Sequence, residues 1–328
     1  MQSLKLLLLT TLLTLNTSAK NIPPALLTLY NKIRLAGPCT GPDLLKTGFY
    51  DQTDGSPPLW SYCQRHTSPH AIYLKGPGAS LANMDIDCDG TNTTGPDPTD
   101  HRCTNSPDTQ PQTAFQSLLQ QPKYNISDLN TYIHPYIVLG NTGRRPTYRT
   151  FNPQRHGIHP LSLAAVVCNN KLVYGVWGDV NGDDGPPLVG EASLALATAC
   201  FGHAVNGSNG WDGDDVLYLA FRGSGAVVPG GGGGGGGAEG VKWDARSFEE
   251  FEAGIEGLGD RLVEGLIGGL KGGEGDESGP GVSSREDRMN RDSCAFTNGN
   301  INVNSAKKPT GTQEPNVNVN VKISNLQN

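Results

Sequence analysis

LAAVVCNNKLVYGVWGD, residues 163–179, sets two apolar runs on either side of Asn169-Asn170. Runs of this length, rich in Val and aromatic residues, read as strands. A two-residue Asn-Asn link between them reads as a tight hairpin, because Asn tolerates the left-handed backbone such turns need. Leu163–Cys168 and Lys171–Trp177 therefore predict a β frame, and short runs like them recur along the chain. Ala71–Leu74 and Leu81–Asp87 flank a Gly-Pro-Gly turn, Tyr136–Leu139 is apolar throughout, and Val216–Phe221 is another such run. Glu191–Cys200, rich in Ala and Leu, reads as helix more than strand. Pro24–Ala36 predicts a helix with Leu26, Leu27, Tyr30, Ile33 and Leu35 inward. Within Trp243–Leu270, Phe248, Phe251, Ile255, Leu258, Leu262, Leu266 and Ile267 recur at helical steps. The pattern is mainly β (α+β), a compact barrel-like domain with helices packed outside.

The ends of the chain differ in kind. Residues 1–19 carry a Lys, a leucine-rich run of about ten residues and then Thr-Ser-Ala, which predicts a secretory signal peptide too short to span a membrane. Residues 20–270 hold the patterned sequence and predict one domain. Eight consecutive glycines, Gly230–Gly237, bring no side chains to pack and predict a flexible loop inside it. Residues 271–328 are Gly, Ser, Asn and charge, and predict a disordered tail. Export makes disulfides the default for Cys39, Cys63, Cys88, Cys103, Cys168 and Cys200, with Cys294 left over in the tail. The local pairs Cys88–Cys103 and Cys168–Cys200 are preferred. Sequons at Asn92, Asn125 and Asn206 fit a glycosylated surface. The formal charge of −7 argues against nucleic acid and permits a cationic partner.

Acidic residues cluster at two places. In LANMDIDCDG, residues 81–90, Asp85, Asp87 and Asp89 alternate with apolar residues and would share one strand face, about 6–7 Å apart. That is a solvated face or a place that awaits a cation. In GDVNGDDGPPLVGEAS, residues 178–193, Asp179, Asp183, Asp184 and Glu191 surround a loop. Both stretches partly match a calcium loop, but the closing acid is Pro96 in one and Gly190 in the other. A different use for Asp179 and Glu191 is as an acid and base flanking a glycosidic bond, one giving a proton to the leaving oxygen and the other activating water. Trp60, Trp177, Trp211, Tyr73, Tyr136 and Tyr218 are either core or faces for sugar rings; Trp177, two residues before Asp179, is the foremost candidate. Ser193 lies in GEASL, which is not a nucleophile-elbow pattern.

AIYLKGPGASLANMDIDCDG, IHPYIVLGN, HGIHPLSLAAVVCNNKLVYGVWGDVNGDDGPPLVGEASLALATACFG and DDVLYLAFRG, in this order, resemble the fungal chitosanases of glycoside hydrolase family 75. The likeness spans about residues 60–228 and extends through the helix ending near Leu270. It implies secreted, endo-acting, inverting hydrolysis of the β-1,4 links of chitosan by a monomer, with no cofactor and no metal. It also suggests a six-stranded barrel of double-psi type. The family's two essential acids fall on Asp179 and Glu191. Neighbouring acids point to Glu191 as the proton donor and Asp179 as the base. Asp85, Asp87, Asp89, Trp177 and Asp183 are then expected to bind substrate, the aspartates through the ammonium groups of glucosamine. Two alternatives stand beside this reading: a non-catalytic, calcium-dependent polysaccharide-binding wall protein, and a β-glucanase on a similar barrel.

Overall fold

The computed structural model describes residues 20–271 except 52–56, 94, 105, 107–108 and 232–240. The expected signal peptide, most of the glycine loop and the tail lie outside the described residues. Ten strands form one mixed sheet. They are β1 (Lys20–Asn21), β2 (Leu44–Phe49), β3 (Trp60–Gln64), β4 (Ala71–Lys75), β5 (Ala82–Asp87), β6 (Tyr136–Asn141), β7 (Leu163–Cys168), β8 (Lys171–Asn181), β9 (Glu191–Ser193) and β10 (Trp211–Phe221). The helices are α1 (Pro24–Leu35), α2 (Gln116–Leu119), α3 (Leu194–Phe201) and α4 (Phe248–Lys271).

The β7–β8 hairpin forms as expected. Asn169 and Asn170 both take positive φ, 44° and 58°, and Cys168 pairs with Lys171 across the turn. Positive φ at both turn positions matches the right-handed twist of the flanking strands. Every residue of β7 is buried, so this hairpin lies in the core and not at a solvated face. β10 pairs with β7 along one edge and with β5 and then β4 along the other. β5 pairs with β9, β9 with β6, and β6 with β8, which closes back on β7. The pairings β8-β6-β9-β5-β10-β7 thus return to their starting strand. Within this circuit β5/β9 and β6/β8 are parallel. β2 and β3 extend the sheet beyond β4.

Helix α4 starts at Phe248, five residues later than the pattern from Trp243 suggests. It packs on β7 and β8 through Phe251, Ile255, Val263 and Leu266. Trp243 is buried in the preceding turn, where its Nε1 donates to Pro229 O. Lys20 of β1 bonds Asp260 of α4 at 2.8 Å, and Tyr174 of β8 donates to the same carboxylate. Helix α1 keeps part of the face expected inward: Tyr30 is half-buried against the core beside Leu26 and Ile33, while Leu27 is 40% exposed. Leu26, Leu29 and Ile33 are buried, whereas Leu35, at 76% exposed, faces solvent. The helix ends there, so Leu35 has no further turn of helix to pack beneath. Disulfides join Cys88–Cys103 and Cys168–Cys200, the two preferred pairs, and Cys39–Cys63. Among the described residues, no helix is long and apolar enough to cross a membrane.

Candidate active site

The two acids singled out from the sequence meet at the level of Val138. On one edge of β6, Val138 pairs with Asp179 of β8; on the other it pairs with Glu191 of β9. Glu191 in turn pairs with Asp85 of β5. Residues opposite one another in a ladder project to the same side, so Asp179, Glu191 and Asp85 share a face. Two inter-strand steps separate Asp179 from Glu191, about 9–10 Å between backbones. Asn181, on the same strand face as Asp179, donates from Nδ2 to Glu191 Oε1 at 3.1 Å and links the two strands above that level. Glycine permits the close approach that brings β9 in. Gly190 has φ +94°, and a Cβ there would lie 2.4 Å from Asn83 Oδ1.

The environments of the two acids differ. Asp179 is 5% exposed. Its Oδ1 accepts the backbone N–H of Ala114 (2.9 Å) and of Val180 (2.7 Å), while Oδ2 is buried with no hydrogen-bond partner. Burial, together with the carboxylates of Asp87 and Asp89, pushes its pKa well above the ordinary carboxylate value. Asp87, Asp89 and Asp179 each bring a carboxylate oxygen within 4.8 Å of the others, close enough for their charges to interact strongly or for a cation to fit between them. Glu191 is only half-buried. Its carboxylate adds to the burial that raises the hydroxyl pKa of Tyr62, Tyr148 and Tyr218, that of Tyr148 to about 12. These tyrosines stay protonated in any mild medium. A buried acid with a raised pKa, beside a wetter acid two strands away, is an arrangement that can split two carboxyl groups into donor and base.

The chain matches the family described as fungal chitosanase of glycosyl hydrolase group 75 over residues 84–265, a stretch that includes both acids. It is 40% identical over 260 residues to an endo-chitosanase of Aspergillus fumigatus, covering 79% of this chain and 97% of that one. It is 39% identical over 252 residues to an endo-chitosanase of Aspergillus oryzae, and 37% identical over 250 residues to an endo-chitosanase B of the same species. Each of these two alignments covers 76% of this chain and 93% of the relative. The chain belongs to the group 75 chitosanases.

In this chitosanase fold the remaining candidates separate. Trp177, expected to offer a face to sugar, is buried at 2% exposed. Its ring stands edge-on to Phe115 and its Nε1 donates to Asp179 O at 2.9 Å. Trp177 therefore fixes the backbone of Asp179 from within the core. Trp60, Tyr73, Tyr136 and Tyr218 are core as well, and only Trp211, 39% exposed and stacked on Phe201, keeps open ring surface. Asp183 accepts the backbone N–H groups of Arg145 and Arg144, which hold its carboxyl below the usual range. It pins the turn at residues 142–145 to the loop that precedes β9. Asn181 points its amide at Leu188 O and Glu191, so Asp179, Asn181 and Asp183 do not converge as a calcium loop would. The face of three aspartates is also altered. β5 ends at Asp87, which is buried and accepts Asp89 N at 2.7 Å, and Asp89 accepts Gln110 N at 2.6 Å. Only Asp85 remains level with Glu191.

Several residues of the site escaped the sequence reading. Asp128 is buried and accepts both the N–H and the hydroxyl of Thr113, at 3.0 and 2.6 Å. It thereby holds the segment whose next amide, Ala114 N–H, caps Asp179. Tyr62 and Tyr148 lie near Glu191 without any local pattern that marks them, and Asn181, which the sequence marked only within the partial calcium match, reaches it as well. Asp128 lies 51 residues before Asp179 in the sequence, and spacing carries no trace of their connection.

Proposed function

We propose that this chain is a secreted endo-chitosanase that hydrolyses the β-1,4 links of chitosan with inversion, Asp179 giving the proton and Glu191 activating water. The observation that carries the reading is the pairing of both acids with Val138. Their backbone separation of about 9–10 Å is compatible with the roughly 6.5–9.5 Å between carboxyl groups that leaves room for a water in inverting enzymes. The roles reverse those expected from the sequence. A general acid must keep its proton until the leaving oxygen takes it, and the burial and acidic neighbours of Asp179 favour the protonated form. The protonated carboxyl passes its proton to the glycosidic oxygen as the C–O bond breaks. On the opposite face of the sugar, Glu191 takes a proton from water as that oxygen bonds to the anomeric carbon.

Asp85, beside Glu191 and half-buried, is the residue best placed to meet a glucosamine ammonium group. Trp211 offers the exposed ring for a more distant sugar. The closed circuit of six strands, with its two parallel pairs, supports a barrel of the double-psi class as the catalytic scaffold within residues 20–270. Three disulfides fit an exported chain.

The test is incubation of the purified protein with soluble chitosan, following viscosity and reducing ends together. Internal cutting lowers viscosity quickly while few ends appear. Asp179→Asn and Glu191→Gln are each expected to lose most turnover and stay folded. Near-normal turnover in either would remove that residue from the mechanism, and faster cutting of a neutral β-glucan than of chitosan would reassign the substrate.

A further inference from the structure

Asp179 gathers two further carboxylates around it. Asp87 ends β5, Asp89 sits in the turn that follows, and Asp179 lies near the far end of β8, yet one oxygen of each lies within 4.8 Å of the other two. The groups that face Asp179 can be named from every side. The Asp87 and Asp89 carboxylates approach from β5 and its turn. Tyr136 of β6 turns its hydroxyl to the carbonyls of Asp87 and Asp89. The amides of Ala114 and Val180 hold Oδ1. This leaves Oδ2, buried and unpartnered, as the oxygen with no donor to stabilise a negative charge. A proton there turns a costly bare acceptor into a donor. Three carboxylates so close, two of them buried, resist ionising together, and their titration belongs to the group.

We propose that Asp87 and Asp89 are positioning residues that hold Asp179 in its acid form on Oδ2, so that the proton-donating side of the site is a carboxylate trio. This rests on the reading of Asp179 as general acid. It gives Asp87 and Asp89 a task other than contact with the substrate's amines. The Oδ1 amides decide which oxygen stays an acceptor, and the trio decides that the other carries the proton. The structure thereby separates the two acids by company as well as by burial.

Asp87→Asn and Asp89→Asn test this, since each keeps the side-chain oxygen that accepts Asp89 N or Gln110 N. The measurement is the pH dependence of kcat on soluble chitosan. A general acid works while protonated, so activity falls as pH rises through its pKa. Removing one neighbouring negative charge is expected to move that alkaline limb toward acid by about one pH unit in each variant. A uniform drop in kcat with the limb unmoved would overturn the trio in favour of a structural role. A higher KM with an unmoved limb would overturn it in favour of an ammonium subsite. Loss of wild-type activity in chelator, restored by calcium, would overturn it in favour of a bound cation. The wild-type protein supplies a reading that needs no folded Asp87 or Asp89 variant. The infrared carbonyl band of a protonated carboxyl is expected at a pH where ordinary aspartates are ionised, and is expected to vanish in Asp179→Asn. Its absence from the wild type would overturn the proposal. An active Asp179→Asn would instead defeat the acid assignment, whereas an inactive one with unmoved limbs in the other variants would defeat the trio alone.

Discussion

Gly178 separates Trp177 from Asp179, and it offers a test of how tightly the proposed proton donor is held. A Cβ at this position would lie 2.6 Å from Leu129 Cδ1 and from Tyr136 Cβ, and 2.8 Å from Tyr136 Cγ. Ordinary carbon contacts sit at about 3.5–4.0 Å, so Gly178→Ala requires a shift of about 1 Å. Leu129 and Tyr136 are both fully buried, and Tyr136 is tied through its hydroxyl to two carbonyls of the acidic turn. The strand bearing Asp179 is therefore expected to move. Overpacking of this kind costs about 1–3 kcal/mol, which in a domain of this size lowers Tm by about 2–10 °C. A misplacement of about 1 Å at a reacting group lowers kcat by about a hundredfold. Gly259→Ala is the control, because its Cβ would meet the Tyr174 ring at the same 2.6 Å, where α4 packs on the sheet. Both variants are expected to melt lower by similar amounts, and only Gly178→Ala to lose turnover at a temperature where both are folded. Equal turnover in the two variants, measured per folded molecule, would refute the placement of Asp179 at the reacting bond.

Other outcomes follow from the same geometry. Asp85→Asn is expected to raise KM for chitosan by about tenfold, the loss of a hydrogen bond to a charged group, with no matching change for a neutral glucan; equal changes on both polymers would exclude charge recognition there. Asp128→Ala leaves the Thr113 N–H and hydroxyl without their acceptor and frees the segment that caps Asp179, so Tm is expected to drop by several degrees and kcat by about tenfold; unchanged kinetics would detach this segment from the site. Asp179→Asn is expected to raise Tm while abolishing turnover. The folded state raises this carboxyl's pKa, so its contribution to stability is present at acid pH and is lost as pH climbs from the ordinary carboxylate range toward the raised value; the gain in Tm from Asn should grow over that window, and a gain that shrinks with rising pH would contradict a protonated Asp179.

The β7–β8 hairpin, two of the three disulfides and the inward face of α4 were legible because each rests on local information. Asn-Asn supplies two left-handed residues, cysteines close in sequence pair, and helical spacing marks a packed stripe. β2 and β3 gave little signal. Leu44–Phe49 is half-exposed and mixes Lys and Thr with its leucines, and Trp60–Gln64 buries Ser61 among aromatic neighbours, so neither alternates cleanly. Glu191–Cys200 combines a short strand with a helix. Ser193 makes the break: its hydroxyl accepts Leu196 N as the helix cap and also accepts Tyr136 N from β6.

The positions of the two acids were readable, but their surroundings were not, and the reason is physical. In the sequence, Glu191 appears crowded because Asp183 and Asp184 precede it closely. In the fold, Asp183 turns away to two backbone amides, and Glu191 keeps partial access to solvent. Asp179 has the same two acids close along the chain, yet the neighbours that matter come from elsewhere: β5 brings Asp87 to it from about ninety residues away, as closure of the strand circuit allows. Which carboxyl holds a proton depends on burial and on the nearest charges. Both are set by pairings between distant strands. Trp177 fell to the same limit: its place two residues before Asp179 suggested a shared open face, but its ring is buried on Phe115 and its Nε1 donates to the Asp179 carbonyl. A residue that supports a site carboxyl from behind and one that meets a ligand from in front have the same spacing in sequence, and only the closure of the sheet around them distinguishes the two.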